Sequence, residues 1–180
     1  MDDLALDARK GLPPALRVLV EELPRLDWPG HPRFHGLASF WLDRHLDFRR
    51  VTDMLLTDAR VRLDGGMDAL DHGRRIARLG SHLVQSLHGH HQIEDAQYFP
   101  QMTRMDPRVA TGFALLDADH HALDALLQDF VAAANAVIAG KPGAEGRFEP
   151  EMQRFARLLD RHLEDEEDLV VPLILRSGLG

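Results

Sequence analysis

The chain has no cysteine in its 180 residues. That absence removes disulfides, thiolate zinc sites and Cys-ligated iron–sulfur clusters, and leaves histidine and carboxylate as the strong metal ligands available. Basic residues are also in deficit. Lys and Arg number 21 against 29 Asp and Glu, a net charge of -8, which argues against nucleic acid as a partner because binding a phosphate backbone draws on clustered Lys and Arg. The most noticeable basic cluster, Arg74-Arg75 with Arg78, reads as a solvated helix face. No apolar run approaches the roughly 20 residues of a membrane span, so no membrane partner is expected. The stretch Met1-Asp-Asp-Leu-Ala-Leu-Asp7 lacks the basic start and apolar core of a signal peptide, so the expected location is cytoplasmic. Strand signals are missing too: nothing alternates apolar and polar for long, and no hairpin dipeptide separates β-branched runs.

What remains is helix punctuated by Gly and Pro, with enough apolar residues, 44%, for one core. Residues 13–23 predict a short helix opened by Pro13-Pro14 and stopped by Pro24. Four longer segments follow. The first spans Pro32 to Leu63 with Trp41, His45, Phe48, Thr52 and Leu55 at helical period, and ends at Gly65-Gly66. The second spans Ala69 to Phe99, where Pro100 marks an end or a kink. The third starts at Asp106-Pro107 and stops around Gly140, and the fourth starts near Glu149-Pro150 and runs toward Pro172. Four amphipathic helices with short connections predict an all-α, antiparallel up-down-up-down four-helix bundle with a short extra N-terminal helical segment.

Two stretches share one pattern: His90-His-Gln-Ile-Glu94-Asp95 running to Pro100, and His162-Leu-Glu-Asp-Glu166-Glu167 running to Pro172. Residues four apart on a helix share a face, so each run can aim an imidazole and a carboxylate at one point. A level test extends the set. In an antiparallel bundle, residues at one height lie equally far from the turn joining their helices. The midpoint of His45 and His90 falls beside Gly65-Gly66, that of Glu94 and His120 on Pro107, and that of His120 and His162 inside Gly140-Lys-Pro-Gly143. His45, His90, His120 and His162 then supply one imidazole per helix, and Glu94 and Glu166 add carboxylates. Six N and O ligands are too many for one tetrahedral zinc and suit two borderline ions such as iron or manganese, with the carboxylates bridging.

Eleven histidines leave competitors. His121 is the alternative to His120, which shares its face with Leu116, Leu123 and Leu127, whereas His121 is turned about 100° away. His91 is turned from His90 in the same way and reads as exposed or as standing behind a ligand. His82, two turns before His90, and Glu167 are weaker candidates. Asp95 and Glu167 read equally as acids that orient imidazoles and as solvated acids. Tyr98 reads as packing, and His31, His35, His72 and His88 as surface residues. Protease, hydrolase, phosphate-loop and Cys-nucleophile templates are absent, as is the Glu-x-x-His of ferritin-like diiron bundles.

These residues resemble the hemerythrin family, specifically the bacterial hemerythrin-like (HHE cation-binding) domains. The resemblance rests on Leu42-Asp-Arg-His45-Leu-Asp-Phe48, His90 to Pro100, Asp119-His120-His121-Ala-Leu123 and His162 to Pro172, and covers roughly residues 32–175. It implies an extension over residues 1–30 and a four-helix domain over 31–176. It also implies two iron ions joined by an oxo or hydroxo bridge, although zinc or manganese could take the same ligands. The implied partner is a small diatomic such as O2 or NO, for binding or sensing, or peroxide. An enzyme acting on peroxide or NO, and a helical interaction protein without functional metal, are the alternatives. In the oxygen-carrying members a second His lies one turn before the third helix's ligand, where this chain has Leu116. Their Asp five residues after the fourth helix's His corresponds to Glu167, while Glu166 fits the variant with two His-x-x-x-Glu runs. Both departures remove the basis for expecting an oxygen carrier. For residues 1–30 two roles stay open, covering one end of the bundle or forming a homodimer contact.

Overall fold

In the computed structural model, residues 4–179 are described; Met1–Asp3, the start of the expected extension, and Gly180 lie outside the described residues. Among the described residues there are six α-helices and no strand. After a short 3-10 turn, Pro14–Leu16, comes α1, Val18–Glu22, and then a second 3-10 turn over Arg25–Gly30. Four long helices follow: α2 (Leu37–Leu63), α3 (Ala69–Ile93), α5 (Ala110–Ile138) and α6 (Ala144–Ser177). Between α3 and α5 lie a π-helical turn, Glu94–Tyr98, and the short α4, Phe99–Met102.

The boundaries follow local chemistry. Gly65, at φ 78°, takes the left-handed conformation that ends α2. The Asp68 carboxylate then caps α3 by accepting from the N–H groups of Leu70 and Asp71. Asp106 does the same for Arg108, with Pro107 in the first turn of the 3-10 segment that leads into α5. The fourth long helix begins earlier than Glu149-Pro150. It starts at Ala144, directly after Gly143 at φ 68°, and carries both Pro150 and Pro172 inside its 34 residues. Each proline removes one backbone bond, and the rest of this long, well-buried helix outweighs that loss. Pro100 acts differently. A proline collides with the carbonyl four residues back, and the chain ahead of it widens into the π turn, with the Phe99 N–H donating to Glu94 O.

Cross-helix contacts show how the long helices are paired. Along α2 and α3, Asp58 meets Arg75, Asp47 meets His82 and His45 meets His90. Along α2 and α6, Arg62 meets Glu145, Arg49 meets Asp160 and His45 meets Glu167. On the far side, His91 stacks on His120 between α3 and α5, while Phe130 stacks on Phe155 and His120 approaches His162 between α5 and α6. Residue numbers rise along one helix as they fall along its neighbour.

Two apolar cores fill the interior. One holds Phe48, Leu55, Leu83, Leu87, Leu123, Phe130, Phe155 and Leu163; the other holds Leu16, Trp28, Trp41, Phe99, Phe113, Leu116, Leu169 and Leu173. On α2, α5 and α6 the break between them falls at the residues of the level test, and on α3 the first core ends at Leu87, just ahead of His90. His45 lies between Trp41 and Phe48, His120 between Leu116 and Leu123, and His162 to Glu166 beside Leu163 and ahead of Leu169. A polar layer is thus closed above and below by hydrocarbon.

The second core explains residues 4–30. From Asp165 to Leu175 every residue of α6 is buried, which a helix at the edge of four cannot achieve without a cover. The cover is the N-terminal segment, whose Leu12, Leu16, Leu19, Val20 and Trp28 join that core. His72 is a correction to the surface reading: it is wholly buried, its ring packs on Phe148 at 6.1 Å, and neither nitrogen finds a partner. Burial holds it neutral, with its pKa below the usual histidine value.

Candidate metal centre

Two groups of side chains meet in the polar layer. His45, His90, Glu94 and Glu166 form one, and His91, His120 and His162 the other. Within each group the candidate donor atoms all lie within 4.8 Å of one another. The carboxylates span the two. Glu94 places Oε1 2.8 Å from His90 Nε2 and Oε2 3.6 Å from His120 Nε2. Glu166 places Oε1 3.2 Å from His45 Nε2 and Oε2 3.2 Å from His162 Nε2. Trp41 Nε1 donates to the same Glu166 Oε1.

These atoms are close without satisfying each other. Nine buried side-chain atoms among the described residues lack a hydrogen-bond partner, and six converge here: His91 Nε2, both Glu94 oxygens, His120 Nε2, His162 Nε2 and Glu166 Oε2. Buried polar atoms are normally paired, so six orphans at one point require a common partner that accepts lone pairs. A cation of the kind His and carboxylate hold is such a partner, and the donor set fits one.

Behind the centre, acids orient the imidazoles. His45 Nδ1 lies 3.0 Å from Glu167 Oε1, His120 Nδ1 2.8 Å from Asp95 Oδ1, and His162 Nδ1 3.3 Å from Asp119 Oδ2. A carboxylate at Nδ1 fixes the proton there and turns the Nε2 lone pair inward, the arrangement usual behind metal-binding histidines.

The crowding displaces the protonation equilibria of these groups. Burial, then the neighbouring Glu166, pushes Glu94 well above the usual carboxylate range, while burial pushes His90 down to about 3. Burial likewise drives His91 well below the histidine value and lowers His120. His162 goes the other way. Burial opposes its charge, but its bonds to Asp119 and Glu166 prevail and raise it to about 9. His45 is also raised, because Glu166 and Glu167 outweigh its desolvation. Burial works against the charged Glu167 as well, yet His45 and Arg49 hold it down to about 2.

All six residues of the expected set, His45, His90, Glu94, His120, His162 and Glu166, stand in the two groups. His120 is in the cluster, whereas His121 is exposed. His82 lies outside both groups on the surface, paired with Asp47 at 3.1 Å. Glu167 stands behind His45 rather than among the converging atoms. Tyr98 packs edge-on against Trp41.

The seventh residue, His91, corrects its reading as a turned-away neighbour. It is buried and stacks on His120 with ring centroids 3.9 Å apart. A signal for it was present: counted from buried Leu87, His91 lies about 40° round the helix and His90 about 60° the other way, so both flank the core-facing line. Asp119 gave no comparable signal, because an acid beside a histidine reads as solvent-facing on pattern alone.

A model of the hemerythrin HHE cation binding domain matches residues 36–174. No curated protein and no solved structure matches the chain.

The arrangement separates neighbouring histidines experimentally. His91→Ala and His120→Ala are expected to lower bound metal from about two ions per chain to about one or fewer, since each removes a donor from the three-imidazole group. His121→Ala and His82→Ala are expected to match the wild type by elemental analysis after identical loading. Metal retention by His91→Ala together with loss by His121→Ala would reverse the assignment.

The pKa pattern sets the pH response of the chelator-treated protein. His162, raised to about 9, contributes stability that is full below the unfolded value near 6.5 and is lost as pH rises through the folded value. Raised Glu94 acts in the same direction, and the lowered histidines have completed their opposite effect by about pH 6.5. Melting temperature should therefore fall between roughly pH 7 and 9, and His162→Gln should flatten that slope. A melting temperature that rises over this interval would contradict the assignment.

Proposed function

Because the chain belongs to the hemerythrin HHE cation-binding family, we propose that it holds two iron ions joined by an oxo or hydroxo bridge inside an antiparallel up-down-up-down four-helix bundle, and presents them to O2, NO or a related small molecule. The six orphaned lone-pair atoms at one buried point carry this reading. His91, His120 and His162 would hold one ion, and His45 with His90 the other, with Glu94 and Glu166 spanning both. Five imidazoles and two carboxylates would hold such a pair, a nitrogen- and oxygen-rich donor set of the kind that suits borderline ions. When bound, such a pair supplies reversible electron transfer to and from a small ligand.

The chain's own groups set the conditions. Asp95, Asp119 and Glu167 hold protons at the Nδ1 atoms of three histidines and keep their Nε2 atoms inward. The two apolar cores exclude bulk water, which strengthens every charge interaction between them. Trp41 fixes one oxygen of Glu166. On the α2–α3 side a cavity of about 310 Å³, lined by Leu37, Phe40, Trp41, Ile93 and Tyr98, reaches His90. Arg44, Gln85 and Ser86 also line it, but most of its wall is apolar, which supports approach by a small uncharged molecule.

The missing imidazole at Leu116 weighs less against ligand binding, because His91 on α3 stands with His120 and His162 and would supply a fifth. Binding or sensing is therefore the first reading. Turnover of peroxide or NO at the same centre, in a cytoplasmic protein, is the second. Iron-replete protein is expected to carry about two iron ions per chain. On exposure of the reduced protein to O2 it should develop a visible band that reverses on deoxygenation. Steady consumption of peroxide or NO without a reversible band would favour the enzyme, and iron below about one per chain would contradict both readings.

A further inference from the structure

Four consecutive acids on α6, Asp165 to Asp168, are all buried. Three have guanidinium partners. Asp165 accepts from Arg9 and Arg161, Glu167 from Arg25 and Arg49, and Asp168 from Arg25. Glu166 has none and faces His45 and His162 instead. Two of these arginines, Arg9 and Arg25, come from the N-terminal segment, ahead of the residues 36–174 that match the family domain.

Their contacts continue inward. The Arg9 side chain is 3% exposed; Nη1 donates to Asp119 Oδ1 at 2.7 Å, Nε to Asp165 Oδ2 at 2.7 Å, and Nη2 to Asp119 Oδ2. That Oδ2 is the oxygen facing His162 Nδ1. Arg25 Nη1 donates to Glu167 Oε2 at 2.6 Å, Nε to Asp168 Oδ1 at 2.7 Å, and Nη2 to the Glu164 carbonyl at 2.8 Å. The other oxygen of Glu167 faces His45 Nδ1. One arginine of the segment therefore stands behind a histidine of each group, joined at Glu167 by Arg49 of α2, which donates to the Oε1 that faces His45.

The geometry points to the N-terminal segment as a strap that completes the metal centre from behind: Arg9 through Asp119 and Arg25 through Glu167 are positioning residues for His162 and His45. This rests on the metal-ligand reading under Proposed function. Arg9 grips both oxygens of Asp119 and fixes that carboxylate's plane, which a lysine's point charge cannot do, whereas Arg25 divides its fork between Glu167 and Asp168 and holds the two acids in place together. The anchoring of the strap is built to hold this geometry. Leu16, Leu19 and Trp28 are buried in the second core, the Trp28 indole donates to the Leu23 carbonyl, and Arg161 donates to the Lys10 carbonyl.

Cobalt(II) is the probe, since its visible bands report the ligand set without oxygen chemistry. The full-length metal-free protein is titrated against a competing chelator. Arg25 is half-exposed, so Arg25→Gln is expected to fold with a melting temperature near the wild type. It should nevertheless bind cobalt about tenfold more weakly, with a shifted visible band. Arg25→Lys should recover part of the affinity and less of the band position. Arg9→Gln should weaken binding at least as much. Arg60→Gln, which removes a surface pair with Glu149 far from the centre, should behave as the wild type. Wild-type affinity and band in Arg25→Gln would overturn the strap while leaving the ligand reading intact, and this variant decides if Arg9→Gln fails to fold. Failure of the wild type itself to bind cobalt stoichiometrically would overturn the ligand reading and the strap with it.

Discussion

The carboxylate–imidazole contact at Nδ1 is the interaction on which the centre depends. A buried histidine can aim either nitrogen at a neighbour, and hydrocarbon packing does not choose between them. Glu167, Asp119 and Asp95 make the choice for His45, His162 and His120 by occupying one side of each ring. The consequence is a set of Nε2 lone pairs facing inward toward the oxygens of Glu94 and Glu166. Such an arrangement is costly unless protons or a cation lie between the atoms. The displaced pKa values of Glu94, His90 and His162 follow from that crowding.

Neutralising the orienting acids creates a second requirement, which spreads outward through the fold. Acids inside a helical bundle need counter-charges, and α6 carries four in succession. Arg49 on α2 and Arg161 on α6 supply some, and Arg9 and Arg25 from the N-terminal segment supply the rest. The extension that buries the apolar flank of α6 is thus the same element that balances its charge. Packing and electrostatics assign it a single location.

Much of this was legible in the residues. The His-x-x-x-Glu runs and the turn midpoints identified the layer, because the spacing of four and the glycine-rich turns are local properties. What was missed depends on contacts that pattern does not encode. The 100° between His91 and His90 conceals that both flank the core-facing line through Leu87. Asp119 and Arg9 find each other across 110 positions of sequence, and nothing in either neighbourhood announces the pair. Pro150 resembles a first-turn proline and points to a late start for α6, although the left-handed Gly143 already lets the helix begin at Ala144. The π turn at Glu94 follows from Pro100, whose effect the sequence left open between an end and a kink.

The fold and the family are those of a cation-binding helical domain; the two-ion centre is the claim that carries the functional reading. An anomalous difference map from crystals of the iron-loaded protein, collected on both sides of the iron edge, tests it most directly. The account predicts two peaks, one among His91, His120 and His162 and the other among His45, His90, Glu94 and Glu166. A single peak, or iron bound outside this layer, would contradict it.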